Sequence, residues 1–515
     1  METYYVGFDA GTQSVKVTIC NDKMETVASA SLPTTIYYPN PGWVEMDVDE
    51  YFQLTKKCLK KCVDQMKEQG RDLNQIQSIM GDGIICGIAG VDRDGNAITP
   101  YINYLDSRTA EDVKNLNDKN LDIWGKETGN AEASCMFPAM IARWILKNSK
   151  EFQEKGVKFV HNAPYVLAHL AGLKAEEMFI DWGAMSGWGL GYHVYEKCWS
   201  KKQLDILGID PSFMPKIVKP WDIIGTLNEA VAKEVGLKAG IPICAGAGDT
   251  MQSMIGSGIL EAGHAVDVAG TCAMFCVSTK GIVPELSKRG SGLIFNSGTL
   301  PDTYFYWGFI RTGGLALRWF KDHICKQESG EYYDVMTEGA KKVPVGSNGV
   351  LFLPYLTGGV GEMVNASGCF LNMTMDTNQF VLWRAVLEAI GYDYMEIIDV
   401  YRKAGADFSR IAITEGGSRN ELWNQMKADM LNSCVITLKN AGGAVVMNSL
   451  FGAYAVGNIE NIEKALADYL EIQNEYEPIE SHTKKYQILY EKQKKMVKND
   501  MKSVFDALKE IRNVE

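Results

Sequence analysis

Four short segments of the 515-residue chain carry side chains of the kinds that handle phosphate groups. Asp9-Ala10-Gly11-Thr12-Gln13-Ser14 ends an apolar run on a carboxylate and follows it with a glycine and hydroxyls. A turn built on Gly11 can wrap phosphate oxygens with N–H and O–H donors. Asp9 can hold Mg²⁺, usually through water because that ion dehydrates reluctantly. A plain hairpin turn with an Asx cap uses the same residue types. Gly270-Thr271 offers the same donors from the other half of the chain. Glu415-Gly416-Gly417-Ser418-Arg419-Asn420 reads as strand, Gly-Gly, helix, which lets backbone approach a flat or charged ligand at a helix N-terminus. It is neither a dinucleotide fingerprint nor a Walker A loop, and an ordinary αβ loop fits it as well. Asp249, between Gly248 and Thr250, is a carboxylate on a glycine loop and suits a general base. It would equally cap the helix that TMQSMIGSG predicts.

The elements that must position these groups follow from periodicity. YYVGFDAG reads as a buried strand, SVKVTICN as its hairpin partner and METVASASLPTT as a further strand. Asp47–Gly70 has a helical pattern, and IQSIMGDGIICGIAGVD is a strand, a glycine-rich turn and a second strand. Ala239–Gly258 reads as strand, tight loop and helix, with a domain junction just after it. Strands followed by alternating helices and strands indicate an α/β protein. DAGTQSVKV at Asp9–Val17 and DVAGTCAMF at Asp267–Phe275 both set an acid shortly before Gly-Thr. An internal repeat of half the chain explains this, and two such hairpins could grip one polyphosphate from both sides. Asn378–Lys403 is the clearest long helix, with Asp376 or Thr377 as its cap, and Lys484–Arg512 reads as one charged amphipathic helix.

Composition narrows the classes. Hydrophobic residues make up 46% and charged residues 23%, as in ordinary globular proteins. The formal charge of -12 argues against a nucleic-acid binder or a protein of anionic membranes. No run of 18 or more apolar residues occurs, and the N-terminus has no basic region, so neither a membrane span nor a signal peptide is expected. The 12 cysteines form no CxxC pair and read as reduced thiols of a cytoplasmic protein. With 6 histidines and no HExxH, a zinc site is not expected.

Taken in order, the four segments resemble the FGGY family of carbohydrate kinases. GWVEMD at Gly42–Asp47, LDSR at Leu105–Arg108, SCMFPAMIARW at Ser134–Trp144, LPYLTGG at Leu353–Gly359 and RAVLEAIGY at Arg384–Tyr392 add to the match. The resemblance implies an α/β fold of two actin-like, ribonuclease-H-like domains around a central cleft. Residues 1–255 would bind the sugar and carry the base, and residues 256–515 would bind nucleotide. It implies Mg²⁺ at Asp9 and ATP phosphates at Thr12, Gln13, Ser14, Gly270 and Thr271. Gly314, Arg318, Gly416, Gly417 and Asn420 would line the nucleotide. Asp249 would take the proton from the substrate hydroxyl, and Asp106, Arg108 and position 86 would face the sugar.

The departures lie at the sugar. Xylulose kinases of the family usually show Gly-Gln-Met-His-Gly where this chain has Gly83-Ile84-Ile85-Cys86-Gly87. An Arg-Glu pair of the glycerol-kinase type is absent there too. The expected activity is ATP-dependent phosphorylation of a primary hydroxyl of a small sugar, a ketopentose first, with ribulose, erythritol or glycerol as alternatives. Two further readings belong to other classes: an actin-like ATPase driving a partner, and a sugar sensor without efficient transfer. The sequence does not set the oligomeric state, although dimers are common in the family.

Overall fold

The computed structural model describes residues 2–270, 273–310, 313–327, 329, 331–359, 363–440 and 443–514. The chain forms two compact units. The first comprises Met1–Leu260, Thr279–Tyr306 and Gly442–Tyr469, and the second Glu261–Ser278, Trp307–Ala441 and Leu470–Glu515. Two segments beyond the expected junction at residue 255 thus fold with the first unit.

The first unit is built on β1 (Tyr4–Ala10), β2 (Ser14–Asn21) and β3 (Thr26–Pro33), an antiparallel meander. Helix α1 (Val48–Glu68) follows, capped by Asp47, whose side chain accepts from the Asp49 N–H. Its buried residues Tyr51, Leu54, Cys58, Leu59, Cys62, Val63 and Met66 recur three and four apart. With Val15, Val17 and Ile19 of β2 they form one apolar core. Next, β4 (Ile76–Gly83) pairs parallel to β1. The sheet is completed by β5 (Ile223–Thr226), β6 (Pro242–Cys244) and β7 (Ala247–Gly248), in the order β5-β6-β4-β1-β2-β3 with β7 also parallel to β4. Helix α2 (Asp249–Ile255) leaves directly from β7. The helix Ala444–Ala455 belongs to the same unit, and Gly7 of β1 can approach it closely only because a Cβ there would lie 2.0 Å from the Val445 carbonyl oxygen.

The second unit repeats the plan. β8 (His264–Ala269) pairs antiparallel with β9 (Ala273–Thr279) and parallel with β10 (Arg410–Thr414), as β1 does with β2 and β4. β11 (Cys434–Leu438) and β12 (Ile472–Tyr476) extend the sheet, so that β9-β8-β10-β11-β12 are successive neighbours. Its helices include α3 (Gly313–Trp319), α4 (Tyr332–Lys341), α5 (Gln379–Lys403), α6 (Glu421–Leu431), α7 (Glu480–Asn499) and α8 (Met501–Arg512).

Two expectations are corrected. Helix α5 is capped by Asn378, not by Asp376 or Thr377, because the Asn378 side chain accepts from both the Phe380 and Val381 N–H groups. The C-terminal segment is two helices, broken at Asp500, which lets Met501 and Phe505 pack against Leu353 and Tyr355. Among the described residues, no helix is long and apolar enough to cross a membrane.

Candidate active site

The β1–β2 turn is anchored through its carbonyls. Ala10 O accepts from the Asn162 amide at 2.7 Å, Gly11 O from the Tyr51 hydroxyl at 3.0 Å, and Thr12 O from the Thr34 hydroxyl at 2.7 Å. Gln13 O accepts from the Thr34 N–H at 3.2 Å. A trans peptide points its N–H away from the preceding C=O, so these anchors turn the Thr12 and Gln13 N–H groups to the opposite side. Thr12, Gln13 and Ser14 keep part of their surface in solvent. A turn of this kind is an anion cradle.

Asp9 lies beside two other carboxylates. β1, β4 and β7 run parallel, and ligands of such sheets gather at the strands' carboxyl ends. Asp9 of β1 is in register with Asp82 of β4, and Asp82 is in register with Ala247 of β7, two residues before Asp249. Burial raises the pKa of Asp9 above its ordinary value, and the neighbouring Asp82 and Lys16 work against the rise. Asp82 is fully buried, and its pKa is raised well above the ordinary range by burial, then by the charges of Asp9 and Asp249. Asp249 is pushed up to about 7, by burial first and by Asp9 second. It is not a helix cap. Gly248 holds the cap position, and Asp249 accepts from its neighbour Thr250, at 2.5 Å from the N–H and 3.1 Å from the hydroxyl. A carboxylate titrating near neutrality is poised to take a proton. The oxygen-only donor set, with Asp9 part-exposed, suits a hard divalent cation such as Mg²⁺.

Asp82 was not among the residues singled out by sequence, and neither were its supports. Asn448 donates to Asp82 Oδ2 at 2.6 Å and to Phe8 O at 2.9 Å. Gln252 donates to Asn448 Oδ1 at 2.7 Å, and Thr299 donates to Gln252 Oε1 at 3.2 Å. An acid inside the apolar strand IMGDG, parallel to the strand bearing Asp9, was the signal that could have marked it.

The sugar-side residues are arranged less simply. Cys86 is buried, with its thiol 3.7 Å from Gly187 O. Its pKa is raised by burial and by the charge of Asp249. Ile84 and Ile85 are also buried. Asp106 accepts from the Val44 N–H at 2.6 Å and from the Arg108 N–H at 2.8 Å. Arg108 bonds Asp106 and Glu45, and its guanidinium stands 3.8 Å from the Trp43 ring and 4.7 Å from the Trp144 ring. Their side chains are each 1% exposed, and the pair braces the Trp43–Val44 segment.

The second unit contains a cavity of about 820 Å³. Gly270, Gly314, Arg318, Gly416, Gly417 and Asn420 all line it. Gly270 O accepts from the Gly314 N–H at 2.9 Å, which joins β8 to the start of α3. Thr271 lies outside the described residues. A Cβ on Gly417 would stand 2.4 Å from the Ala269 Cβ, so this glycine permits the close approach of its loop to β8, whereas Gly416 has nothing within 4 Å. Glu415, ahead of them, is held at φ 62°, ψ -161°, a region that strongly favours glycine. Asn420 caps α6 through the Trp423 N–H and donates to the Thr337 hydroxyl at 3.1 Å. The opposite wall is one face of α4, with Tyr333, Thr337 and Lys341 four residues apart, and it was not picked out by sequence.

The model of the "FGGY family of carbohydrate kinases, N-terminal domain" matches residues 4–256, and that of the C-terminal domain matches residues 265–456. The chain is 26% identical over 512 residues to a xylulose kinase of Bacillus subtilis (strain 168), covering 99% of both chains. It is 26% identical over 500 residues to a gluconokinase of the same organism, covering 95% of this chain and 94% of that one. Its fold matches the crystal structure of xylulose kinase from Rhodospirillum rubrum with a TM-score of 0.85 at 22% identity, over 98% of this chain and 100% of that one.

Proposed function

The chain belongs to the FGGY family of carbohydrate kinases and is an ATP-dependent sugar phosphotransferase, and from that premise we propose that it phosphorylates a primary hydroxyl of a linear sugar of the ketopentose class, with Asp249 as the base. The observation that carries this reading is Asp249 itself, on a glycine loop beside Asp9, with its pKa pushed up to about 7. Relatives named xylulose kinase support the substrate class.

The proposed roles divide between the units. In the second, the 820 Å³ cavity accepts the nucleotide, with the bare face of Gly416 against it and Arg318 and Lys341 among its cations. In the first, the Thr12–Ser14 turn offers donors to phosphate oxygens, and Asp9 holds Mg²⁺. That ion, when bound, neutralises charge on the phosphate oxygens. Asp249 accepts the hydroxyl proton as the sugar oxygen bonds to the terminal phosphorus and the bond to the ADP oxygen breaks. Transfer of this kind depends on positioning and charge neutralisation more than on covalent help.

The wall made by Ile84, Ile85 and Cys86 shapes the substrate. A thiol is a weak donor and isoleucine offers none, so a sugar hydroxyl directed there loses about 1–3 kcal/mol. The preferred substrate is therefore less hydroxylated than D-xylulose on that side, or differs from it in configuration. The experiment is ADP release with D-xylulose, D-ribulose, L-ketopentoses, gluconate, erythritol and glycerol. Turnover highest on a sugar other than D-xylulose is expected. D-Xylulose ahead of all others would refute the pocket argument. ADP release independent of any sugar would favour an ATPase over a kinase.

A further inference from the structure

Within the carboxylate cluster, Asp82 meets an amide on one side and another carboxyl, that of Asp9, on the other. Asp82 is fully buried on the central strand β4, and its Oδ2 receives the Asn448 amide at 2.6 Å. Its Oδ1 is buried and receives no donor. The group lying against Asp82 on the β1 side is the carboxyl of Asp9, its register partner. Two carboxyl groups so placed can share one proton, and a divalent cation bound by both takes that proton's place.

The supporting network fixes this arrangement. Asn448 and Gln252 are fully buried, and each amide is oriented by its partners, from Thr299 through Gln252 and Asn448 to Asp82. Asp9, the register partner of Asp82 and in side-chain contact with it, is part-exposed. Two oxygen donors from adjacent parallel strands supply two of the about six positions of a hard-cation site and leave the others for water and phosphate.

We propose that Asp82 is a second carboxylate of the divalent-cation site at Asp9, so that the cation is gripped by a pair of side chains and can be bound before any nucleotide arrives. This rests on the reading of Asp9 as the cation-holding residue. Asp249, further along the same strand ends, is left for the proton.

The test measures Mn²⁺ alone, by the loss of the free-ion electron paramagnetic resonance signal, on the intact chain without ATP. Asp82→Asn is nearly isosteric and can keep the Asn448 bond. It is expected to weaken Mn²⁺ at least about tenfold, while calorimetry with metal-free ADP stays as in the wild type. Asp9→Asn is expected to lose Mn²⁺ as well. If Asp9→Asn loses the ion and Asp82→Asn does not, the proposal is overturned and the role of Asp9 stands. If neither variant changes Mn²⁺ binding, or the wild type binds none at millimolar concentration, the proposal and that role both fall. Should Asp82→Asn not fold, wild-type crystals soaked in Mn²⁺ decide the matter by anomalous scattering. A peak bonded to both carboxylates supports the proposal, and one bonded to Asp9 alone overturns it.

Discussion

Replacing Asp249 by Asn separates proton removal from every other part of the reaction. The side chain keeps its shape and an oxygen to accept from Thr250, which now approaches Asp249 at 2.5 Å. What disappears is the basic carboxylate, whose pKa is pushed up to about 7 by burial and then by the charge of Asp9. General-base catalysis is typically worth about 10²–10⁴-fold, so kcat on the preferred sugar should fall at least about 100-fold, with ADP affinity unchanged. The pKa gives a second readout. Only the ionised form accepts a proton, so kcat/KM should rise with pH and level off above about 7, falling roughly tenfold per unit below it. Because the negative charge of Asp9 raises the value, Asp9→Asn, or a cation held at Asp9, should move the rising limb to lower pH. The assay is coupled ADP release across the acid and neutral range. Asp249→Asn retaining more than a tenth of wild-type turnover, or a wild-type profile flat from about pH 5 to 8, would refute the assignment.

In the second unit, Gly416→Ala should leave the melting temperature unchanged, since nothing lies within 4 Å of the added methyl, yet weaken ADP by about tenfold, or ~1.4 kcal/mol, if the nucleotide packs on that face. Calorimetry showing wild-type affinity would contradict the nucleotide reading of the loop. Gly417→Ala, by contrast, meets Ala269 at 2.4 Å and should destabilise the unit by about 1–3 kcal/mol, read by denaturant melts. Lys427→Met removes the cation paired with the buried Asp267 and should cost about 3–5 kcal/mol, whereas Asp9→Asn should be neutral or stabilising, because Asp9 is a part-exposed carboxylate whose pKa its partial burial raises. Equal melting temperatures for the two variants would refute that contrast.

What was legible in the sequence was local. The Asp9 hairpin, the Asp249 glycine loop and the Glu415–Asn420 turn each announce themselves within six residues, and the structure places them at the end of β1, at the start of α2 and on the wall of the cavity. What was not legible depends on pairing over distance. Asp82 matters because β4 lies against β1 in a register that sets it opposite Asp9, and because Asn448, 366 residues away, takes its other oxygen. Neither partner is visible from IMGDG. LDSR hides its setting for the same reason, since Trp43 and Trp144, which flank Arg108, come from other segments. The cavity wall on α4 was missed because periodicity gives a helix its faces but does not say which of them a ligand meets.

The two repeated hairpins show how one plan came to hold two kinds of aspartate. Asp9 and Asp267 stand near the ends of equivalent strands, each paired antiparallel to the next strand and parallel to a later one. Asp267 is fully engaged inside the second unit. Lys427 of α6 forms an ion pair with it, and the Tyr394 hydroxyl donates to it at 2.5 Å. Its charge is balanced by the protein, and nothing is left for a ligand. Asp9 receives no such cation in direct contact among the described residues. Its nearest ionisable neighbour on the parallel strand is another acid, and both carry raised pKa values. The two acids are not at the same position: counted from the turn, Val268 is the counterpart of Asp9 and Asp267 that of Phe8, so the two carboxylates leave opposite faces of equivalent strands, one paired inside the second unit and one beside other acids in the first. Unbalanced buried charge is costly, and a fold keeps it where a cation, a phosphate or a proton in transit supplies the balance. This difference is consistent with the proposed division, in which the proton is handled in the first unit and the second unit offers its cavity, lined by glycine backbone and by Arg318 and Lys341.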